Sequence, residues 1–184
     1  MPQLPTLETK RTLITVLHED NAHALLDYQI ENKGHLEPWE PTKSNDFYSK
    51  EAGRLRGEKS YQSFLNGTAV NLIAFDKVSR KLVANCNFTT IVRIPLMGCN
   101  LGYSVAKSAE GTGLGQEVVA AGIHYMFEVV GLHRVMANHM PANTRSEKLL
   151  KTLGFEREGY AKSYLKIDGK WEDMVLNSLI NYNV

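Results

Sequence analysis

The chain has 184 residues, of which 43% are hydrophobic and 22% are charged. We expect residues 1–184 to form a single domain, because this size and composition supply enough apolar residues for one substantial core. The net charge is +1 and the isoelectric point is about 7.8. Such a balance does not favour a surface that neutralises many phosphates, so DNA and RNA are not expected as ligands.

The N-terminal residues and the cysteine pattern favour a cytoplasmic protein. The first residues lack a basic segment followed by an apolar core, and the sequence has no continuous apolar run of about eighteen residues, so no membrane association is expected. Cys86 and Cys99 belong to no Cys-x-x-Cys motif, and we expect both to be buried, reduced thiols. The six histidines lack ligand spacing, so no metal site is expected.

The first predicted elements are a strand and two helices. Residues 11–17 are β-branched and apolar, as in a buried strand, and residues 19–32 carry a helical stripe of apolar side chains, namely Ala22, Leu25, Leu26 and Ile30. Thr42 or Ser44 is a suitable N-cap for a second, more polar helix that extends to about Phe64.

Three strands follow. Residues 69–75, 82–91 and 100–105 have strand character and are separated by turn sequences, which predicts an antiparallel meander. The last of these strands leads into a loop with glycines at positions 111, 113 and 115. A long amphipathic helix follows, and its apolar stripe consists of Leu114, Val118, Ala121, Tyr125 and Val129.

The C-terminal part continues with a strand, a helix and a hairpin. Residues 133–139 form a strand, Asn143 is a plausible N-cap for a short helix, and Gly154 closes that helix. Strands follow from Phe155 onward, with a hairpin turn at Asp168-Gly169. The predicted order β-α-α-β-β-β-α-β-α-β-β corresponds to a mixed sheet flanked by helices.

The glycine loop is the strongest functional signal in the sequence. Glycines let the backbone approach a ligand closely, and the free amides at the helix start point toward negative charge, so the loop is typical of a phosphate cradle. It lacks the Gly-Lys-Ser/Thr ending of a nucleotide-hydrolysing P-loop, and Gln116 occupies the third glycine of a dinucleotide fingerprint. A pyrophosphate without a catalytic metal, as in coenzyme A, fits better. The alternative is an ordinary glycine turn.

The element order, the strand before the glycine loop, and the string Asn143-x-x-Ser146-x-x-Leu149 followed by Gly154-Phe155 resemble the GNAT N-acetyltransferase superfamily. Within it, the segments NKGHLEPWEP, GYS, GTGLG and HRVMANHMPANTRSEKLLKTLGFEREGYAKSYLKIDGKW resemble the RimJ-type enzymes, which acetylate the N-terminal alanine of a small-subunit ribosomal protein. The resemblance implies an α/β (α+β) fold whose mixed, mostly antiparallel central sheet is flanked by helices and splayed between two central strands.

The resemblance also implies an acetyl-CoA site. The pyrophosphate is expected on the backbone of Gly111, Thr112, Gly113, Leu114 and Gly115, and the pantetheine arm beside Leu101, Tyr103 and Val105 as though it were an extra strand. Two positions depart from the superfamily loop. Ser108 stands where glutamine or arginine is usual, and Glu110 stands where glutamine or glycine is common. A carboxylate beside a pyrophosphate is unfavourable unless it points into solvent.

Asn143 and Ser146 are three residues apart at a helix start, so both side chains can face one cleft. In the family pattern Asn143 contacts coenzyme A, and Ser146 is the general acid that protonates the departing thiolate. The alternative reading is that Asn143 is only an N-cap and Ser146 only a residue of the first helical turn.

The general base is less defined. RimL-type enzymes have a glutamate where this sequence has Asn100, so Glu40, and after it Glu37, are the candidates. A peptide α-amino group has a pKa of roughly 7.7–8.0, so a water relay is an alternative to a strong base. Trp39, Glu40, Asn100 and Tyr164 are expected to bind the acceptor, with Tyr103 and Tyr160 as further groove candidates. Trp39 as a core anchor and the tyrosines as half-buried strand residues are the alternatives.

We therefore expect a cytoplasmic enzyme that transfers acetyl from acetyl-CoA to an N-terminal alanine by direct attack in a ternary complex. Its partner would be the N-terminus of a ribosomal protein, free or on the ribosome, and the enzyme would be a monomer or a homodimer. An acetyl-enzyme on Cys99 is a rival mechanism. Two other functions stay open. One is acetylation of a small amine such as a drug, polyamine or amino acid, and the other is a non-catalytic acyl-CoA-binding module.

Overall fold

The computed structural model describes residues 4–183, and within this range the chain folds into one eight-stranded sheet. The strands are β1 (Thr6–Glu8), β2 (Thr12–Val16), β3 (Val70–Asp76), β4 (Leu82–Val92), β5 (Gly98–Val105), β6 (Arg134–His139), β7 (Glu156–Ile167) and β8 (Lys170–Ile180). The helices are α1 (Ala22–Glu31), α2 (Lys33–Leu36), α3 (Lys50–Leu65), α4 (Leu114–Glu128) and α5 (Thr144–Thr152).

The strands lie in the order β1-β2-β3-β4-β5-β6-β8-β7. Neighbouring strands are antiparallel except for β5 and β6, which are parallel. The predicted mixed, mostly antiparallel sheet is confirmed. The parallel pair is the one that α4 connects, since a parallel neighbour needs a long crossover.

The sheet is buried on both faces. Leu72 and Ile73 are adjacent on β3 and point to opposite faces, and they belong to two different apolar clusters. The larger cluster packs the sheet against α4 and α5, and it includes Phe88 on β4 and Val118 on α4. The smaller cluster packs the sheet against α1 and includes Leu25. Helices therefore cover both faces and leave the strand ends around β5 and β6 for a ligand.

The sequence-based element boundaries need four corrections. Strand β1 was not predicted. The second helix begins at Lys50 and is capped by Ser49, whose hydroxyl accepts a bond from the amide of Ala52, so neither Thr42 nor Ser44 is its cap. Residues 33–36 and 37–39 form helical turns before it. Pro38 is tolerated there because it stands in a first turn, where its missing N–H costs nothing.

The predicted apolar stripe of α1 is also wrong at one position. Ile30, predicted to face the core, is 51% exposed, and Tyr28 is buried in its place at 2% exposure. The tyrosine can be buried because its hydroxyl has a partner on β5, Ser104, at 2.8 Å. On α4, Leu114 and Val118 are buried as predicted, whereas Val129 is exposed just past the helix end.

Cys86 and Cys99 are both buried and unpaired, as predicted. No helix among residues 4–183 combines the length and apolar character needed to cross a bilayer. Over the same residues, no group of three or more His, Cys, Asp and Glu side chains is arranged to hold a metal ion.

Candidate active site

The sheet opens between β5 and β6. These strands pair only where Gly98, Cys99 and Asn100 face residues 134–136. Within the part of the chain that the structure describes, no pairing to β6 continues beyond Asn100, so β5 presents an unpaired backbone edge from Leu101 onward. This is the predicted splay between two central strands. An unpaired edge is a template for an extended ligand that bonds to main-chain groups.

The glycine loop lies at the end of β5, and its amides are free. Gly111 and Gly113 both have left-handed backbones, with φ of 74° and 76°. Among the backbone bonds of residues 4–183, none is donated by the amides of residues 111, 112, 113 or 115. A Cβ at Gly111 would meet nothing within 4 Å, so this part of the loop faces open space. The loop thus offers unpaired N–H groups at the N-terminus of α4.

Side-chain hydrogen bonds from Arg11 hold the glycine loop in place. Its guanidinium donates to the carbonyl of Thr112 at 3.0 Å, and its Nε donates to the carboxylate of Glu117 at 2.7 Å. The backbone amide of Arg11 donates to the same carboxylate at 2.8 Å. These bonds connect β2, the loop and the first turn of α4. The loop is therefore preorganised by a residue 101 positions earlier in the chain.

The carboxylate of Glu110, which directly precedes the glycine loop, is paired with two cations. It accepts a bond from Lys107 at 2.9 Å, a bond from the guanidinium of Arg145 on α5, and lies 3.8 Å from the His35 ring. The bonds from Lys107 and Arg145 lower the pKa of Glu110 to about 2. The carboxylate and its two permanent cations leave a net positive charge beside the loop.

Tyr103 and Ser146 meet at the opening of the sheet. Their hydroxyls are 2.7 Å apart, and Tyr103 lies on the face of β5 that points toward α5. Burial raises the pKa of Tyr103 to about 12, so its hydroxyl is protonated at neutral pH. Asn143 is the N-cap of α5, and its side chain accepts a bond from the amide of Ser146 at 3.1 Å. The capping role of Asn143 is thus observed, and its predicted contact with coenzyme A stays a prediction.

A second polar cluster lies on the opposite face of β5. The hydroxyl of Ser104 is bonded to the hydroxyl of Tyr28 at 2.8 Å and accepts a bond from the amide of Asn85 at 2.9 Å. Asn87 in turn donates to the side chain of Asn85 at 3.2 Å. Sequence reasoning missed this cluster, because its members are on α1, β4 and β5. The one feature of the sequence that indicates this cluster is a run of polar residues within otherwise apolar strands.

The acceptor candidates Trp39 and Glu40 lie on the segment between α2 and α3. The ring of Trp39 is 5.5 Å from the guanidinium of Arg145, and the carboxylate of Glu40 pairs with Lys43. A cleft of about 350 Å³ lies along this segment, and Asp168 of the β7–β8 turn is also among its lining residues. Its acidic lining residues are Glu37, Glu40 and Asp168, and Lys43 is its cation.

Asn100 and Tyr164 are not brought into contact with these groups. Asn100 is exposed at the last paired position of β5, on the face opposite Tyr103, so it stands at the mouth of the splay. Tyr164 is 48% exposed on β7. Tyr160 donates a 2.6 Å bond to Asp173 on the neighbouring strand. The acceptor roles of Asn100 and Tyr164 stay predictions.

Cys99 is placed badly for covalent catalysis. Its side chain is fully buried, at 0% exposure, and burial raises the pKa of its thiol to about 12. The reactive form of a cysteine is the thiolate, which this environment disfavours. The geometry therefore favours direct attack by the acceptor over an acetyl-enzyme on Cys99.

An opened parallel strand pair beside a free glycine loop is the architecture of an acyl-CoA-dependent transferase. Residues 11–156 match the family model described as "Acetyltransferase (GNAT) domain". The chain belongs to this family of GNAT acetyltransferases.

Within the GNAT acetyltransferases, the chain is similar to enzymes that are named for acetylating ribosomal proteins. The chain is 39% identical over 173 residues to the [ribosomal protein uS5]-alanine N-acetyltransferase of Escherichia coli K12, which covers 94% of this chain and 89% of that protein. The crystal structure of the ribosomal-protein-S5-alanine acetyltransferase of Vibrio fischeri is similar with a TM-score of 0.94 and 32% identity, over 97% of this chain and 98% of that one. The Mycobacterium smegmatis RimJ complex with CoA-disulfide has a TM-score of 0.77 and 26% identity, over 98% and 88% of the two chains.

Proposed function

We propose that this protein transfers the acetyl group of acetyl-CoA to the α-amino group of the N-terminal alanine of ribosomal protein uS5. The family, and the uS5-alanine acetyltransferases of E. coli and V. fischeri among its relatives, support the reaction class and the substrate. One observation in the chain itself carries the proposal. The unpaired edge of β5 runs between the Tyr103–Ser146 hydroxyl pair and the glycine loop with free amides. Because the proposed substrate is a ribosomal protein, the proposed place of action is the cytoplasm.

The residues present fit the diphosphate of acetyl-CoA. Unpaired amides of residues 111–113 and 115 supply donors, and the N-terminus of α4 supplies a favourable dipole. Gly115 brings α4 close to β5, since a Cβ there would lie 2.9 Å from Val105. Lys107 and Arg145 add positive charge beside the loop. We propose that the backbone of Leu101, Tyr103 and Val105 bonds to the pantetheine amides as an added strand.

Acetyl-CoA supplies an activated acyl group on a thiol leaving group. The reaction converts an amine and a thioester into an amide and a thiol, so one N–H proton of the acceptor must reach the sulfur. A phenol with a pKa of about 12 is a weaker acid than a thiol near 8.5. Tyr103 and Ser146 are therefore proposed to donate hydrogen bonds that stabilise the sulfur, and Ser146 to relay the acceptor's proton to it. The proposed proton relay by Ser146 is a more specific form of the general-acid role that the family resemblance implied.

The acceptor is proposed to enter along the cleft between Glu40 and Asp168. Three carboxylates and one lysine line it, which favours a cationic N-terminus on arrival. The amine must then lose a proton to attack. Glu40 is the proposed base, directly or through water, and it would have to exchange its pairing with Lys43 for the acceptor.

A peptide panel tests the proposal. The purified protein would be incubated with acetyl-CoA and a peptide that has the uS5 N-terminal sequence starting with alanine, and products would be identified by mass spectrometry. The matched controls are the same peptide with a blocked N-terminus and a panel of polyamines, amino acids and aminoglycosides. We expect acetylation of the free alanine peptide alone. Preferential turnover of a small amine, or acetyl-CoA binding without turnover of any amine, would overturn the proposal.

A further inference from the structure

We infer that Glu110, Arg145 and Trp39 form a latch that makes the acceptor segment sense whether the phosphate loop is loaded. The inference rests on the proposed function, since it assigns the glycine loop to coenzyme A and residues 37–43 to the acceptor. Glu110 and Arg145 act in it as positioning residues. Neither is assigned to the reacting atoms.

The latch connects two parts of the site through one guanidinium. Arg145 donates to the carboxylate of Glu110, which directly precedes the glycine loop, and the same guanidinium lies 5.5 Å from the Trp39 ring. Trp39 is followed by Glu40, which lines the acceptor cleft. A cation held against an aromatic ring gains attraction from its π-face. The loop carboxylate therefore fixes the cation that in turn holds the acceptor segment.

Loading the loop should open this connection. A diphosphate on the unpaired amides of residues 111–113 and 115 places negative charge next to Glu110 and competes with it for Arg145. The competition is favourable because Glu110 and Arg145 are partly exposed, at 28% and 47%, and exposed ion pairs contribute little free energy. When the Arg145 guanidinium moves toward the phosphate, it moves away from the Trp39 ring and the contact between them is lost. Segment 37–43 is then free to adjust around an acceptor.

The connection is reciprocal by thermodynamic necessity. If coenzyme A releases the acceptor segment and so strengthens acceptor binding, the acceptor strengthens coenzyme A binding by the same factor. The latch thus couples the two sites, so that each ligand favours binding of the other. Replacing Glu110 by glutamine should leave Arg145 unheld and place the empty protein in the released state.

Trp39 itself provides the readout. In a Trp171→Phe background Trp39 is the one remaining tryptophan, because the sequence has two. Coenzyme A without an acetyl group is the probe, so no turnover is required, and its binding is followed separately by calorimetry. We expect coenzyme A to change the Trp39 emission in this background. In Glu110→Gln and Arg145→Gln the change should be largely lost, even at coenzyme A concentrations that calorimetry shows to saturate each variant.

Lys107→Gln is the matched control, because Lys107 also bonds to Glu110, whereas the cation that lies over the Trp39 ring belongs to Arg145. At saturating coenzyme A this variant should keep the Trp39 response, although loss of the Lys107 charge lowers the affinity for the diphosphate. In parallel, coenzyme A should tighten binding of the alanine peptide several-fold in the wild type and in Lys107→Gln, and leave it nearly unchanged in Glu110→Gln.

The outcomes separate the latch from the proposed function. An equal Trp39 response in wild type and Glu110→Gln would overturn the latch alone, because it would mean direct contact of the ring with coenzyme A. Coenzyme A that binds without any Trp39 response would do the same. Failure of coenzyme A to bind the wild-type protein would overturn the proposed function and the latch together.

Discussion

Tyr103 on β5 and Ser146 on α5 share a 2.7 Å hydrogen bond across 43 residues of sequence. The bond joins the unpaired edge of the sheet to the helix whose N-cap, Asn143, holds the amide of Ser146. Each hydroxyl is positioned by the other and by a separate structural element. Under the proposed function, this arrangement would place two neutral donors beside the sulfur of the departing thiol.

The first prediction concerns Ser146. Ser146→Ala removes the relay to the sulfur and leaves Tyr103 without its partner, so kcat should fall about 100-fold, the lower end of the contribution of a positioned proton donor. The KM for acetyl-CoA should change little. The measurement is steady-state kinetics with the alanine peptide. Thr144→Ala, at an exposed position on the same helical turn, should behave as wild type; unchanged kcat in Ser146→Ala would remove Ser146 from the mechanism.

The second prediction uses two glycines with the same backbone. Gly111 and Gly131 both have φ of 74°, and a Cβ at either would meet nothing within 4 Å. Alanine should therefore destabilise both positions similarly, by roughly 1–2 kcal/mol for a left-handed residue. Only Gly111→Ala should weaken the binding of coenzyme A, because the substitution displaces loop amides. The expected loss of affinity is about 10-fold, or roughly 1.4 kcal/mol.

Calorimetric titration of coenzyme A and thermal melts of the two variants check this pair. Similar melting temperatures with unequal affinities are expected. Equal affinities in Gly111→Ala and Gly131→Ala would mean that the loop does not carry the diphosphate.

The third prediction concerns the base. An α-amino group with a pKa of roughly 7.7–8.0 is largely protonated at neutral pH, so loss of a base should matter most there. Glu40→Gln should lower kcat/KM about 10-fold at neutral pH, and the gap to wild type should narrow in alkaline solution. Glu37→Gln, in the same cleft, is the control. A pH profile of Glu40→Gln that superimposes on the wild-type profile would eliminate Glu40 as the base.

The fourth prediction concerns the anchor of the loop. Burial acts to raise the pKa of Glu117, but hydrogen bonds from Thr9 and Arg11 lower it overall from the usual 4.5. A lowered pKa in the folded state contributes stability above pH 4.5 and loses that contribution as the pH falls below this value. Glu117→Gln should therefore lower the Tm at neutral pH by roughly 2–4 °C, which corresponds to about 1 kcal/mol.

This difference in Tm should shrink as melts are repeated at increasingly acidic pH. Glu128→Gln, exposed at the far end of α4, should leave the Tm near the wild-type value throughout. A deficit in Glu117→Gln that is constant with pH would show that its ionisation does not stabilise the fold.

Local features of the site could be predicted from the sequence. The glycine loop, the start of α4 and the cap of α5 are each encoded within a few residues, so spacing and residue type were enough to place Gly111 and Gly113 in the loop and Asn143 at the start of α5. The proposed roles of Asn143 and Ser146 came from the family resemblance. The element order followed from local patterns, whereas the splay between two central strands followed from the family resemblance. No local pattern encodes the point where β5 and β6 separate, which the structure places after Asn100.

Contacts between distant segments could not be predicted in this way. Arg145 meets Glu110 across 35 residues, and Tyr28 meets Ser104 across 76. Such pairs depend on which helix ends the sheet brings together. The exchange of Ile30 for Tyr28 in the core has the same origin, because the buried Tyr28 hydroxyl is bonded to Ser104, a partner far away in the sequence.

The most direct test of the central claim is N-terminal proteomics of cells with and without this protein. We expect ribosomal protein uS5 to carry an acetylated N-terminal alanine when the protein is present and a free one when it is absent. Wild-type protein should restore the acetyl group, and Ser146→Ala should restore little of it. An unchanged uS5 N-terminus in cells that lack the protein would contradict the account.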